Sequence, residues 1–366
     1  MKVLFFIGSL GLGGAEEQVL NLANEYLLLG QEVAVFTMID VNPRSHLKYS
    51  FPIIECHAKK SALGVLRVIF ALHKVLREFR PDVLHSHLYH ANMISRILKM
   101  TISPASVLVN TSHSSNEGGR LRMLAYRLTS RAPVIWTNVS QSAVDRFVRV
   151  GAVSARRMRV MHNGINLRNF SRSPEVRVAT RGRLGLKDDD FVFIAVGRFV
   201  HAKDYPTMVR AFCKVHKGFV KSKLIIVGDG ELRADVLKIV EDNALGEAVS
   251  LLGARYDVAD LLNAADCFVS TSLWEGFGIS IAEAMALELP IAATDSGGVR
   301  DVIGSEYDLI ASGEINSFAD KMIEIMLMTV EERSKLGLML RSRVEQCFSL
   351  PAIANQWLKL YREASL

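Results

Sequence analysis

Met1-Lys2-Val3-Leu4-Phe5-Phe6-Ile7-Gly8-Ser9-Leu10-Gly11-Leu12-Gly13-Gly14-Ala15-Glu16-Glu17 opens the 366-residue chain, and how it is read decides the fold. Lys2 to Gly8 is a continuous apolar run of strand length, the pattern of a strand buried on both faces of a parallel sheet. A glycine-rich turn follows, then a helical pattern from Ala15 to Leu29, with Gly30 placed to cap it. A lysine followed by apolar residues also suits a signal peptide, but Glu16 and Glu17 begin an amphipathic helix immediately afterwards, so the first-strand reading is preferred.

The same alternation continues outward. Glu32 to Met38, Val83 to Ser86, Val107 to Asn110, Val134 to Val139 and Arg159 to Met161 read as strands separated by helical patterns, which argues for one parallel α/β domain. Ser171 to Asp190 is polar, charged and without period, and reads as an interdomain linker. The pattern restarts with a strand at Phe191 to Val196 and a helix at Pro206 to Lys217. A strand at Leu224 to Val227, a helix at Leu232 to Ala244 and strands at Val249 to Leu252, Cys267 to Thr271, Ile291 to Thr294 and Asp308 to Ile310 complete it. The length suits two domains, expected over 1–168 and 169–349, with a helix at about 350–366 packing back on the first. Ligands of open parallel sheets sit at the carboxyl ends of the strands, so two such domains would face a common cleft with their strand-end loops.

Composition excludes several classes. Apolar residues make up 49% and charged residues 22%, as in a globular protein. The four cysteines lie far apart with no CxxC pair, which suits a reducing compartment and no Cys-based metal site. The longest apolar stretch beyond the first strand, 61–75, is broken by Arg67, His73 and Lys74 and falls short of the ~18 apolar residues a membrane span requires. The net charge of +6 is uneven: residues 1–170 carry 21 Lys and Arg against 10 Asp and Glu. Lys59, Lys60, Arg67, Lys74, Arg77 and Arg80 surround Leu63, Val65, Leu66, Val68, Ile69, Phe70 and Leu72 in the pattern of a basic amphipathic helix, and Arg120, Arg122, Arg127 and Arg131 extend the charge. An anionic membrane surface is the expected partner, not nucleic acid.

The motifs fall at strand ends. Gly8 to Glu16 is a phosphate-contacting turn by composition, though its spacing is not the GxGxxG of nicotinamide enzymes. Val196-Gly197-Arg198, with Lys203 in the next loop, brings two cations that suit a diphosphate. Ser270-Thr271-Ser272-Leu273-Trp274-Glu275-Gly276-Phe277-Gly278 is a strand end and glycine loop leading into a helix that carries Glu283-Ala284-Met285-Ala286. A carboxylate beside a phosphate site is costly unless it binds hydroxyls, so Glu275 and Glu283 suit sugar and ribose. His85, His87 and His90 cluster after a strand without a Cys, Asp or Glu to complete a metal set. Asp188-Asp189-Asp190 reads as a solvated turn.

These motifs, in this order, resemble family 4 of the glycosyltransferases: Gly13-Gly14-Ala15-Glu16, His162-Asn163-Gly164, Val196-Gly197-Arg198 with Lys203, Val227-Gly228-Asp229-Gly230, Glu275 to Gly278 with Glu283 to Ala286, and Asp295-Ser296-Gly297-Gly298. The resemblance spans nearly the whole chain. It implies the GT-B fold, two Rossmann-like domains with parallel sheets facing across a cleft. It also implies a retaining, metal-independent transfer of a hexose from a nucleotide diphosphate sugar, with no cofactor. Arg198 and Lys203 would grip the diphosphate, Glu275 the donor sugar and Glu283 the ribose, with His113 near the reacting carbon. Gly13, Gly14, Gly197, Gly228, Gly276, Phe277, Gly278 and Ile279 would line the donor site, and Leu252, Gly253 and Ala254 would edge the base. Glu16, His87 and Asn163 would lie on the acceptor side.

UDP is the expected nucleotide, a glycan or lipid-linked molecule the expected acceptor, and a bacterial polysaccharide or lipopolysaccharide pathway the expected setting, at the cytoplasmic face of the membrane. The chain departs from the family in Phe199 to Asp204, Glu288-Leu289-Pro290 and Asp301. Three other readings stand beside this one. They are a nucleotide-sugar 2-epimerase of the same fold, an inactive nucleotide-binding scaffold, and a nicotinamide dehydrogenase that the absent GxGxxG disfavours.

Overall fold

The computed structural model describes residues 1–11, 13–39, 49–102, 106–130, 132–154 and 156–365. The chain divides into two compact units, Met1–Gly164 with Leu350–Leu366, and Ile165–Ser349. The break follows Gly164, where the sequence placed it after residue 168.

The first unit runs β1 (Lys2–Ile7), α1 (Gly14–Leu28), β2 (Glu32–Thr37), β3 (Ile53–Glu55), α2 (Ala62–Phe79), β4 (Val83–His87), α3 (Leu88–Thr101), β5 (Val107–Ser112), α4 (Arg120–Leu128), β6 (Ile135–Asn138), α5 (Gln141–Arg149) and β7 (Met158–Val160). Among the described residues these strands form one parallel sheet in the order β3-β2-β1-β4-β5-β6-β7. The second unit continues with α6 (Pro174–Arg183), β8 (Phe191–Val196), α7 (Tyr205–Gly218), β9 (Ser222–Val227), α8 (Arg233–Asp242), β10 (Val249–Gly253), α9 (Val258–Ala264), β11 (Cys267–Ser270), α10 (Ile279–Ala286), β12 (Ile291–Ala293), α11 (Gly298–Ile303), α12 (Ile315–Leu327) and α13 (Val330–Phe348). Its sheet is parallel in the order β10-β9-β8-β11-β12. The last helix, α14 (Leu350–Ser365), belongs to the first unit. Both units are Rossmann-like α/β domains, as the alternating pattern led us to expect.

Alternation along β1 explains its unbroken apolar run. Val3, Phe5 and Ile7 join a core with α1 and with Leu350, Ile353, Trp357 and Tyr361 of α14, while Leu4 and Phe6 join the opposite core with Val68, Leu72, Ala91 and Ile94 of α2 and α3. A strand covered on both faces has no solvent side on which polar residues could alternate.

Two sequence expectations are corrected, and one strand went unread in the sequence. Ser171 to Asp190 is not a plain linker. It contains α6, with Pro174 in its first turn and Ser173 capping it by accepting from Val176 N–H. Arg177 and Arg181 of α6 pair with Asp266, and these tertiary charges, rather than an apolar stripe, hold the helix in place. Asp308 to Ile310 is not a strand but a single bridge from Ile310 to Thr294. Ile53–Glu55 is an edge strand that three half-buried residues were too few to announce.

Candidate active site

Each sheet reverses its strand order at one place, between β1 and β4 in the first unit and between β8 and β11 in the second. Crevices form at the carboxyl ends of strands at such reversals. The motifs of the sequence fall there.

In the second unit β8 ends at Gly197-Arg198, and a 3₁₀ turn, His201–Lys203, carries the chain to α7. The turn closes on Asp204, a left-handed residue at φ 44° whose carboxylate accepts from Thr207 N–H. Thr271 Oγ1, beyond the end of β11, donates to the carbonyls of Lys203 and Asp204 at 3.1 and 2.9 Å. Leu273 N–H donates to Ala202 O at 2.8 Å. These bonds fix the two strand-end loops against each other, and across them Lys203 Nζ is ion-paired with Glu275 Oε1. Ser272 Oγ adds a hydrogen bond of 2.8 Å to the same carboxylate oxygen. Glu275 is held from behind, its N–H donating to Ser296 O at 2.9 Å in a bridge to the Asp295 to Gly298 segment. Arg198 is exposed, and its guanidinium has no hydrogen bond or ion pair with the described residues.

The glycines have steric reasons. Gly228, at φ 141°, packs so closely on the end of β8 that a Cβ would lie 2.0 Å from Gly197 O, and one on Gly298 would lie 2.2 Å from Gly276 O. Tyr205 hydroxyl donates to Gly197 O at 2.9 Å, and burial with the charge of Glu275 raises its pKa. Gly278 begins α10 at φ 91° with no side chain capping the first turn. The amides that follow Gly276, Phe277 and Gly278, Ile279 first, therefore lie at a helix start where an anion is favoured. Glu283 is half-buried on that helix, and Gly253 at the end of β10 accepts from Gly228 N–H at 2.8 Å, bringing Leu252 to Ala254 beside the β9 loop.

The remaining sequence candidates lie in the first unit. Gly13 precedes α1 with no side-chain cap, and a Cβ there would meet the Glu16 carboxylate at 2.3 Å, so Glu16 folds over the start of the helix at Gly13 and Gly14. Leu12 of the same turn lies outside the described residues, as does Arg131. His113 stands just beyond β5, its Nε2 2.9 Å from His87 Nδ1 at the end of β4. His85 is bonded on both ring nitrogens, to Thr111 Oγ1 and to Tyr361 hydroxyl, each at 2.6 Å. Burial drives all three imidazoles towards the neutral form, His113 to a pKa of about 4. Among the described residues no three His, Cys, Asp or Glu side chains converge as a metal set. Asn163 is buried beside Gly164, whose N–H donates to Gln18 Oε1 at 3.1 Å.

One residue escaped the sequence reading. Glu117 is buried just after His113, and its carboxylate accepts from His113 N–H at 3.3 Å, from Ser112 Oγ at 3.2 Å and from Tyr126 hydroxyl. Burial raises its pKa against the pull of these bonds. A glutamate in a loop carries no periodic signal of burial, so only the tertiary fold reveals it.

Known proteins place this arrangement. Residues 12–169 match the model of Glycosyltransferase Family 4, and residues 177–339 that of Glycosyl transferases group 1. An Escherichia coli UDP-Gal:alpha-D-GlcNAc-diphosphoundecaprenol alpha-1,3-galactosyltransferase is 27% identical over 72% of this chain and 71% of its own. A Campylobacter jejuni N-acetylgalactosaminyltransferase, named for a GalNAc-GalNAc-diNAcBac-PP-undecaprenol acceptor, is 26% identical over 99% of both chains. Among solved structures, an Anabaena protein, HepE, in complex with UDP and glucose superposes with a TM-score of 0.87 at 20% identity, covering 99% of this chain and 100% of that one. The two family models together span most of the chain, and two parallel-sheet domains carry the motifs: the protein is a glycosyltransferase, a GT-B member of family 4.

Proposed function

We propose that the protein transfers a hexose from a nucleotide diphosphate sugar, UDP-linked, to a glycan or lipid-linked acceptor, with retention of anomeric configuration and without a metal ion. The observation that carries this reading is the Lys203–Glu275 pair at the β8/β11 reversal, beside the uncapped start of α10 and the exposed Arg198. Cations and a helix N-terminus supply the positive potential a metal would otherwise bring to a departing diphosphate. On this reading the diphosphate takes Lys203 and Arg198, donor hydroxyls take Glu275 and the ribose takes Glu283. The anionic product then leaves from a site whose charges were paired before substrate arrived.

His113, with Gly13 and Gly14, serves the reacting side, and Glu16, His87 and Asn163 serve the acceptor. UDP complexes of the structural neighbour and undecaprenol-linked acceptors in the relatives' names support the donor and acceptor classes. The setting we propose is bacterial polysaccharide or lipopolysaccharide assembly at the inner face of the membrane. None of the described helices is long and apolar enough to span the bilayer, and the positive charge of residues 1–170 supports a peripheral contact with anionic lipid.

Calorimetric titration with UDP, GDP, ADP and NAD, with and without EDTA, tests the reading on the wild type and on Lys203→Ala. We expect one diphosphate nucleotide to bind, indifferent to EDTA and at least 10-fold more weakly to the variant. Binding of NAD alone, or of nothing, overturns the donor assignment, and loss of binding in EDTA overturns metal independence. Conversion of the bound nucleotide sugar to its epimer without an acceptor would favour the epimerase.

A further inference from the structure

Glu117 lies under the loop that follows β5, and its two carboxylate oxygens hold different parts of the unit. Oε1 accepts from the His113 N–H at 3.3 Å, while Oε2 accepts from Ser112 Oγ at 3.2 Å and from the Tyr126 hydroxyl of α4. The same loop is fastened at two more points. Arg122 Nη1 donates to Glu117 O at 3.0 Å, and Asn138 Nδ2, at the end of β6, donates to Ser114 O at 3.3 Å. The ring of His113 is held separately, by His87 at 2.9 Å, and the His87 ring packs in turn on those of His85 and Phe5.

A buried carboxylate is costly unless donors and a counter-charge compensate it. The three donors above supply the first part. The counter-charge is Arg96 of α3, a fully buried guanidinium that lies 5.0 Å from the Tyr126 ring centroid and 4.0 Å from that of Trp136. It donates to Asn110 Oδ1 at 2.6 Å and to Thr129 Oγ1 at 3.2 Å, and the charge of Glu117 favours its cationic form. Tyr126 therefore has a cation against its ring and a carboxylate at its hydroxyl. Two buried charges add little stability over apolar groups of the same volume, but a satisfied polar network fixes its members in place. An apolar side chain at position 117 would fill the space and could not join the His113 amide to Tyr126.

We infer that Glu117 is a positioning residue for the transfer step: by joining the backbone amide of His113 to the buried Tyr126, it keeps the His113 ring in place against His87. The inference rests on the proposed reading that puts His113 on the reacting side, and adds to it the group that sets His113 there. The amide bond fixes where the His113 backbone lies, and the bond to His87 fixes how its ring is turned. With Glu117 removed only the second constraint remains, and a displacement of about 1 Å at a reacting group costs on the order of 10²-fold in rate. Glu117 is 8% exposed and both its oxygens are taken by internal donors, so it acts through His113. The diphosphate is left to Arg198 and Lys203 of the second unit.

Glu117→Ala, Glu117→Asp and Glu117→Gln of the full chain test this. Three quantities are measured: UDP affinity by calorimetry, acceptor-free transfer of the sugar to water from UDP-glucose, UDP-galactose, UDP-GlcNAc and UDP-GalNAc, and the ring resonances of 15N-labelled histidine, assigned with His87→Gln and His113→Gln. Aspartate keeps the charge but falls a methylene short of the His113 amide. Glutamine keeps the length and an oxygen for that amide, and its NH2 group faces two hydroxyls that can turn to accept. We expect kcat on the preferred UDP-sugar to fall about 10-fold or more in the Ala and Asp variants, with KM and UDP affinity held within about 2-fold, and Gln to regain most of the rate. The His113 and His87 ring signals should move in Ala and Asp and stay in Gln. An Asp variant with wild-type kcat and unmoved ring signals overturns the proposal, and Asp decides the matter if Ala does not fold. An equal loss of rate in all three variants with unmoved rings also overturns it, assigning the effect to the carboxylate charge itself. A wild type that binds no UDP and cleaves none of the four sugars removes the donor reading instead, and the ring signals of the Asp variant then decide by themselves whether Glu117 sets His113.

Discussion

The buried imidazoles make the pH response of the protein legible residue by residue. His85, His87 and His113 are held neutral by burial, His113 down to a pKa of about 4 against an ordinary 6.5. An unfolded chain takes up protons at these rings below pH ~6.5 while the folded chain does not, so stability is complete above that value and is lost as the pH falls towards 4. Glu117 acts in the opposite sense, because its raised pKa lets the folded carboxyl hold a proton that the unfolded one releases. Three rings outweigh one carboxyl, and we expect the urea midpoint to fall between pH 6.5 and 4, with His87→Asn flattening the slope. A midpoint that rises through that window would contradict the burial of the histidines. Lys203 and Glu275 show the other use of a charge: each neutralises its partner in a part-buried site.

At the scale of elements, the strand-end loops of the second unit depend on backbone approach more than on side-chain contact. Gly228 closes the β9 loop onto the β8 loop with a Cβ-free gap and a φ of 141°. Gly228→Ala would place a methyl carbon inside the van der Waals radius of Gly197 O and force a conformation that costs L-residues about 1–3 kcal/mol. We expect a loss of about 2 kcal/mol or more in denaturant unfolding, together with weakened nucleotide binding, since the carbonyl that must move belongs to the residue before Arg198. An alanine variant of wild-type stability would mean the loop relaxes freely. Helix α6 shows how a polar stretch becomes an element: Ser173 supplies the cap, Pro174 the first-turn φ, and Asp266 the partner for two arginines.

At the scale of the molecule, the chain leaves its first unit at Gly164 and returns to it at Leu350. A side chain at Gly164 would strike Leu350, with a Cβ 2.9 Å from its Cα, so the outgoing and returning segments cross in contact. Helix α14 brings Leu350, Ile353, Trp357, Leu358 and Tyr361 to the core face of β1, and Tyr361 hydroxyl closes on His85. Burying such side chains stabilises by roughly 1.5–3 kcal/mol each, a sum comparable to the 5–15 kcal/mol net stability of a whole domain. Truncation after Ser349 is therefore expected to unfold the first unit and spare the second. Hydrogen exchange should then show β1, β4 and β5 unprotected, with β8, β9 and β11 still slow; protection retained in both units would show α14 to be dispensable.

The sequence by itself determined the class of each unit, because continuous apolar runs, helical periodicity and glycine turns are local signals that a two-faced parallel sheet imposes on its strands. It also carried the candidate site residues of the second unit, since Arg198, Lys203, Glu275 and Glu283 lie in motifs whose order could be read against a family. Tertiary structure decided the rest. The salt link between Lys203 and Glu275, the burial of Glu117 beneath His113 and the helix within Ser171 to Asp190 all join residues distant in sequence or silent in periodicity. Such contacts follow from which strands become neighbours at the reversal of a sheet, and strand neighbourhood is a property of the folded chain that no local pattern encodes.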